Sequence, residues 1–302
     1  MKKIVLDISS WQKPSQIDYD RISKEIDGVI LRAGYTGYGT GQSLNKDTAF
    51  EKHYSEFVKR GVSIGAYWYS CANSTGEGQK EAEYFYNIIK DKRLALPVYW
   101  DTEDQYHQAK VTKTQLAKVG IEFLDYLEKK GYYVGIYAST SWLNSKLDMN
   151  MLKIYDVWVA HYNANKPTYN GVYGMWQYTA DGKLNGYSGK LDLNYMYRDY
   201  PNLIKNAGLN GYTKVEKADV KSASDYNGFR KKNGNTYYYR QSGTQAFEWQ
   251  KIKGNWYYFR KNTGTMVTGF QWINNRWRYF DGEGRYIGDA KIEKKSTAMP
   301  FN

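Results

Sequence analysis

The chain has 302 residues, 41% of them hydrophobic, and a net charge of +12. That length leaves room for two domains, or for one barrel-sized domain with a smaller appendage, and no stretch approaches a transmembrane span. A single cysteine, Cys71, excludes an internal disulfide and a cysteine-based zinc cage, and no apolar run of signal-peptide length follows Lys2 and Lys3.

Short apolar strands alternate with helix-like segments from the start. Ile4–Asp7 reads as the first strand, followed by a helical segment from Asp18 to Glu25. Gly28–Arg32 is the second strand, and Asn45 to Arg60 reads as an amphipathic helix ending at Gly61. Ser63–Tyr69 is the third strand, with a helix from Gly76 to Ile89 after it. The fourth lies in Leu96–Trp100, and a long helix from Thr112 to Lys130 is stopped by Gly131. Tyr133–Ala138 is the fifth strand, followed by a helical stretch from Ser141. Val157–Ala160, Met175–Tyr178 and Leu191–Leu193 complete the set with only loops between them. Alternation of this kind implies parallel strands with crossover helices, and eight strands in about 200 residues predict a closed α/β barrel short of helices in its last third. An open doubly wound sheet is the alternative.

The fourth strand ends in Asp101-Thr102-Glu103-Asp104. In an extended chain Asp101 and Glu103 share a face and Thr102 points away. Two carboxyl groups held together cannot both ionise cheaply, so one should keep its proton near neutral pH. That suits glycoside hydrolysis, in which one acid protonates the leaving oxygen. Helix capping by Asp101 and Asp104, or cation binding, is the competing explanation. In a barrel, strand ends gather at one mouth, and Asp7, Arg32, Asp101, Glu103 and Asp192 all fall at or just past such ends.

Lys205 to Asp225 is polar and aperiodic and reads as a linker. Beyond it a repeat of about twenty residues appears. Its copies are Gly234–Tyr239, Gly254–Phe259 and Asn274–Phe280, each a turn-forming pair beside aromatic strand residues. Gly243, Gly264 and Gly284 mark the turns between hairpins. From Leu209 onward there are 17 Lys/Arg against 8 Asp/Glu, so +9 of the +12 lies in this last third. Such a charge favours an anionic partner surface; no nucleic-acid motif is present, and a bacterial wall polymer matches as well. The 32 Tyr and 10 Trp suit sugar stacking, or a β-rich surface that tolerates aromatics.

These residues carry a family likeness. The first two hundred resemble glycoside hydrolase family 25, the lysozymes of bacterial autolysins and phage endolysins. The matching motifs are Leu6–Gln12, Ile30–Tyr35, Gly65–Tyr69, Val98–Glu103, Gly131–Ala138, Trp158–Tyr162, Trp176–Tyr178 and Gly189–Asn194. The resemblance implies a (β/α)5(β)3 barrel over residues 1–208. It also implies cleavage of the β-1,4 bond between N-acetylmuramic acid and N-acetylglucosamine in peptidoglycan. Glu103 is then the general acid and Asp101 its partner, with Asp7 and Asp192 completing the acidic cluster. If the substrate's acetamido group is the nucleophile, Asp101 orients it. Arg32, Tyr67, Tyr137, Trp158, Tyr162 and Gln177 are the substrate-binding candidates; core packing is the competing role for Trp158 and Tyr162.

Residues 226–302, after a linker at 209–225, resemble the choline-binding and glucan-binding wall repeats of Gram-positive surface proteins. In those repeats aromatic cages between hairpins attract quaternary ammonium. Trp249, Trp256, Tyr258, Trp272, Trp277 and Tyr279 are the cage candidates here, for choline-decorated teichoic acid or another wall glycan. Tyr237 stands where a Trp is usual, and Arg278 where an aromatic is. No cofactor or metal is expected. Without a signal peptide, the enzyme is expected in the host cytoplasm until lysis and at the wall afterwards. A wall amidase or peptidase would need Cys–His or metal-ligand clusters, and Cys71, His53, His107 and His161 are scattered. A catalytically inactive wall-binding barrel would be expected to lack one of the acids, and none is missing.

Overall fold

The computed structural model describes residues 3–37, 39, 41–213, 228–232, 234–240, 244–261, 263–274 and 276–289. The chain divides into two compact units, Met1–Val215 and Glu216–Asn302. No helix among the described residues is long and apolar enough to cross a membrane.

The first unit is a closed barrel. Its elements run β1 (Lys3–Ile8), α1 (Tyr19–Ile22), β2 (Gly28–Thr36), β3 (Leu44–Lys46), α2 (Phe50–Lys59), β4 (Ser63–Ser70), α3 (Glu77–Ile89) and β5 (Val98–Thr102). They continue with α4 (Lys113–Lys129), β6 (Val134–Ser139), α5 (Met149–Leu152), β7 (Asp156–Ala160), β8 (Met175–Gly182), β9 (Leu191–Met196) and α6 (Tyr200–Ala207). The sheet order is β1-β9-β8-β7-β6-β5-β4-β2, and β1 pairs with β2 to close it; β3 is a short flap on the edge of β2. All eight predicted strands are present. Apart from the antiparallel flap β3, neighbours from β1 through β8 are parallel, but β9 is antiparallel to both β8 and β1.

Alternation along each strand divides the core in two. Val5, Ile30, Tyr99, Trp158, Met175 and Met196 pack together inside the barrel. Their neighbours Leu6, Val29, Leu31, Val98, Trp100 and Val159 belong to a separate cluster shared with the helices. Gly120 lets α4 lie directly on the Trp100 ring, since a Cβ there would meet it at 2.5 Å. The ends of α4 follow local chemistry: the Thr112 side chain accepts from Gln115 N at 3.2 Å, and Gly131 turns the chain out at φ +86°.

Four boundaries differ from the sequence reading. The helix expected from Asn45 begins at Phe50, because Leu44–Lys46 pair with Thr36, Tyr35 and Gly34 of β2. The segment from Asp18 shrinks to the single turn α1, capped by Asp18. The stretch after Ser141 is one wide π-type turn, Trp142–Lys146, before α5. The expected linker also starts too early, since Lys205–Ala207 finish α6, whose Tyr200 and Ile204 plug the barrel floor. Asn210 then ties that floor together. Its main chain bonds Gly131 O and Leu94 N, and its side chain bonds Leu96 O and Tyr133 N, at 2.7–3.1 Å. The barrel unit therefore runs past Leu209, and the remaining linker positions 214–225 lie outside the described residues.

Among its described residues the second unit contains three hairpins. They are β10 (Gly228–Lys232) with β11 (Asn235–Tyr239), β12 (Glu248–Ile252) with β13 (Asn255–Phe259), and β14 (Gly269–Ile273) with β15 (Arg276–Phe280). A last strand, β16 (Tyr286–Asp289), adds to β15. Gly264 and Gly284 turn at positive φ, as the spacing predicted; Gly243 lies outside the described residues. No single hairpin buries its aromatic face. Phe259 and Tyr257 pack with Ala246, Ile252 and Tyr238, while Phe280 packs with Val267, Ile273, Trp249 and Tyr258.

Candidate active site

Register brings the acids to one mouth. Asp101 follows Tyr99 on the inward face of β5, and Glu103 continues that line one residue past the strand end. Asp7 sits near the end of β1. Asp192 pairs directly with it across the β1/β9 ladder. Asp192 is therefore at the beginning of its strand, not the end as the sequence reading had it. The reversed direction of β9 is what places it at the same mouth.

Each acid has a different environment. Asp7 is buried and accepts from Asn194 Nδ2 at 2.8 Å and Gln177 Nε2 at 3.2 Å. Its pKa is nonetheless raised well above the usual carboxylate range, by burial and then by the neighbouring Asp192 charge. Asp101 is also displaced upward, by burial, Glu103 and Asp7, with Arg32 opposing, and its Oδ1 is buried without a hydrogen-bond donor. Glu103 is raised by burial and by Asp192. Asp192 itself is pushed up to about 6 by burial and Asp181. Four carboxyl groups that resist ionisation at one mouth form a proton-holding cluster of the kind acid catalysis needs.

Two relays reach Asp7. Tyr137 Oη and Tyr162 Oη donate to Gln177 Oε1 at 2.6 and 2.8 Å, and Gln177 donates onward. Trp158 Nε1 donates to Asn194 Oδ1 at 2.7 Å, and Asn194 Nδ2 also reaches Val5 O at 2.9 Å. Trp158 is only 2% exposed and packs edge-on to Tyr67, Tyr99 and Tyr137, so it is a core ring beneath the acids and offers no face to a sugar. Tyr162 is the half-exposed member. Arg32 is held at a bulge in β2 by Asp47, 2.8 Å from its Nε, and by Ser10 Oγ at 3.0 Å. It acts on Asp101 through its charge, and the Tyr67 hydroxyl stands beside it.

Sequence reasoning missed what anchors the acidic segment. Asp104 caps the turn that follows, accepting from His107 N at 2.5 Å and Gln108 N at 3.1 Å, so the capping explanation holds for Asp104 and not for Asp101. The buried Gln108 accepts from Thr102 Oγ1 at 3.0 Å and Asp104 N at 3.3 Å, and donates to Ser70 Oγ and Ala72 O. Ser70 in turn donates to Glu81, a buried carboxyl pushed up to about 7 by burial. Asn194 closes the Gly189–Asn194 motif, but its contact with Asp7 has no signal in the sequence, and neither has the role of Asp47. Two aromatics near these strand ends, Trp11 and Tyr106, are largely exposed.

In the hairpin unit, Trp249 stands among Tyr258, Phe280 and Tyr286 at 5.2–5.7 Å, with Trp256 at 6.3 Å. The Arg278 guanidinium lies over the Trp249 ring at 4.9 Å, so a cation of the protein's own already covers that face. Trp272 and Trp277 pair at 5.5 Å, with Trp272 mostly exposed beside a cavity of about 320 Å³ lined also by Tyr258, Arg260 and Gln271. Tyr279 faces Phe270 at 4.8 Å on the exposed side. The six cage candidates thus do not gather into one cage.

Residues 6–187 match the family described as glycosyl hydrolases family 25, and residues 226–269 match a choline-binding repeat. The chain is 31% identical over 189 residues to an autolytic lysozyme of Clostridium acetobutylicum, covering 62% of this chain and 54% of that protein. It is 29% identical to lysozyme M1 of Streptomyces globisporus, covering 63% and 66%. The chain thus spans about half the length of the first relative and two thirds of the second. Among solved structures, GHIP of Streptococcus pneumoniae, a glycosyl hydrolase 25, superposes with a TM-score of 0.58 at 25% identity, over 68% of this chain and 92% of that one. With this match, the closed barrel and the acids at its mouth, the chain belongs to glycosyl hydrolase family 25.

Proposed function

We propose that the protein is an N-acetylmuramidase that hydrolyses the β-1,4 bond between N-acetylmuramic acid and N-acetylglucosamine in peptidoglycan. The observation that carries this reading is the mouth cluster of Asp7, Asp101, Glu103 and Asp192, each resisting ionisation for a physical reason. Glu103 gives its proton to the glycosidic oxygen as the C1–O bond breaks. The acetamido oxygen closes on C1, and Asp101 holds the acetamido N–H; its buried, donor-free Oδ1 is an acceptor in need of such a group. Water then opens the ring and returns a proton to Glu103. Asp7, fixed by Asn194 and Gln177, supports the developing positive charge.

The hairpins serve wall attachment in this reading. With Arg278 already over Trp249, the exposed Trp272 and the half-buried Trp277 beside it are the better candidates for an incoming quaternary ammonium or sugar face. The test of the reaction is mass spectrometry of purified peptidoglycan after digestion. New reducing ends on muramic acid support it; freed peptides, or reducing ends on glucosamine alone, overturn it.

A further inference from the structure

The end of β5, which carries the acidic segment, and the neighbouring end of β4 also bring together a second set of donors. Cys71 directly follows β4, while Asp104 and His107 follow β5, and no regular spacing in the sequence joins the three. Their ligating atoms, the Cys71 Sγ, an Asp104 carboxylate oxygen and a His107 ring nitrogen, all lie within 4.8 Å of one another. We propose that Cys71, Asp104 and His107 form a binding site for a borderline-soft divalent cation of the zinc class, one residue beyond Glu103.

The Asp104 carboxylate supplies the independent observation. Its Oδ2 is fully used, by His107 N at 2.5 Å, Gln108 N at 3.1 Å and His107 Nδ1 at 3.1 Å. Its Oδ1 is buried without an N–H or O–H donor, and the Cys71 thiol beside the carboxylate is a weak donor. A desolvated carboxylate oxygen with no stronger donor than a thiol is costly, and a cation is the stronger partner it lacks. The side chain of Asp104 is wholly buried, whereas that of His107 is 22% exposed, which gives an ion an entry and leaves room for a water as fourth ligand.

Ligand chemistry selects the ion. Thiolate, imidazole and carboxylate together suit zinc-like ions, while calcium and magnesium demand oxygen ligands. Cys71 now donates a weak hydrogen bond to Thr36 O at 3.3 Å, and its thiol is held protonated by burial and by the nearby charges of Asp104, Glu81 and Asp101. The oxygen-rich surroundings these carboxyl groups make suit a cation and not an anion. Binding forms one metal–sulfur bond and breaks one S–H bond, and the proton leaves to solvent. Against this stands the simpler role of a capped turn, with Cys71 as apolar filling.

Cobalt(II) titration of the full chain under a non-thiol reductant decides between them. Cys71 is the chain's single cysteine, so a thiolate-to-cobalt charge-transfer band can arise from nowhere else. The expected result is a band saturating at one cobalt per chain and bleached by zinc. It should be absent in Cys71→Ser, with affinity about tenfold or more weaker in His107→Ala. His107 is partly exposed, so this second variant tests the site even if Cys71→Ser fails to fold. No band in the wild type, or unchanged affinity in His107→Ala, overturns the proposal.

Discussion

Glu103→Gln separates catalysis from packing with one atom. The replacement keeps the size of the side chain and removes the proton it can give. Loss of a general acid typically costs a factor of about 10²–10⁴, equivalent to about 3–5 kcal/mol of barrier. The effect on stability runs the other way. Asp101 and Asp7 are both displaced upward in part by the Glu103 charge. A carboxyl whose folded pKa is raised contributes stability below its unfolded value, and that contribution is lost as pH rises through the folded value. Removing the Glu103 charge lowers the folded values of both neighbours, so the variant should be at least as stable as the parent at pH 8 and little changed at pH 4. The assay is release of muramic reducing ends from soluble peptidoglycan fragments, with thermal midpoints at both pH values. Turnover above about a tenth of wild type, or a midpoint several degrees lower at pH 8, would refute the assignment.

Three further outcomes follow from neighbouring contacts. Asp192→Asn should shift the alkaline limb of kcat/KM to lower pH, because the Asp192 charge helps keep Glu103 protonated; an unmoved limb would uncouple the pair. Asn194→Ala leaves the Trp158 indole N–H without its acceptor and takes one donor each from the Val5 carbonyl and from Asp7 Oδ2, which keeps Gln177, and should cost about 2–4 kcal/mol in urea unfolding; a change below about 0.5 kcal/mol would contradict this bookkeeping. A chain ending at Leu209 should unfold at lower urea than one ending at Val215, since it alone lacks the Asn210 bonds to Gly131, Leu94, Leu96 and Tyr133, and equal midpoints would remove Asn210 from the barrel floor.

Strand positions were legible because each apolar run is short, β-branched or aromatic, and bounded by turn residues. Strand direction was not. The alternation in Leu191–Met196 looks the same whichever way the strand runs, and only pairing with β1 and β8 reverses it. Leu44–Lys46 shows the same limit. Helical amphipathicity from Asn45 loses to three ladder pairs with β2. Helix α6 did carry a readable signal, with Pro201 in its first turn and Gly208 at φ +68° just past its end. Its polar composition hid that pattern.

Period-two spacing alone put Asp101 and Glu103 on one face, and that part of the site was readable from four residues. What each acid does was not readable, because it depends on donors from distant strands. Asp7 receives two side-chain donors, from β8 and β9, while Asp101 leaves one oxygen with none. The same residue type is thereby divided into a carboxyl fixed in place and an acceptor awaiting substrate. Trp158 misled for a related reason. An aromatic near a strand end reads as a sugar platform, yet its N–H is spent on Asn194 and its ring on Tyr99 and Tyr137. It reaches the chemistry through Asn194, which holds Asp7, and through Tyr137, whose hydroxyl holds Gln177 against the same oxygen, so its contribution is to orient a carboxylate it never touches.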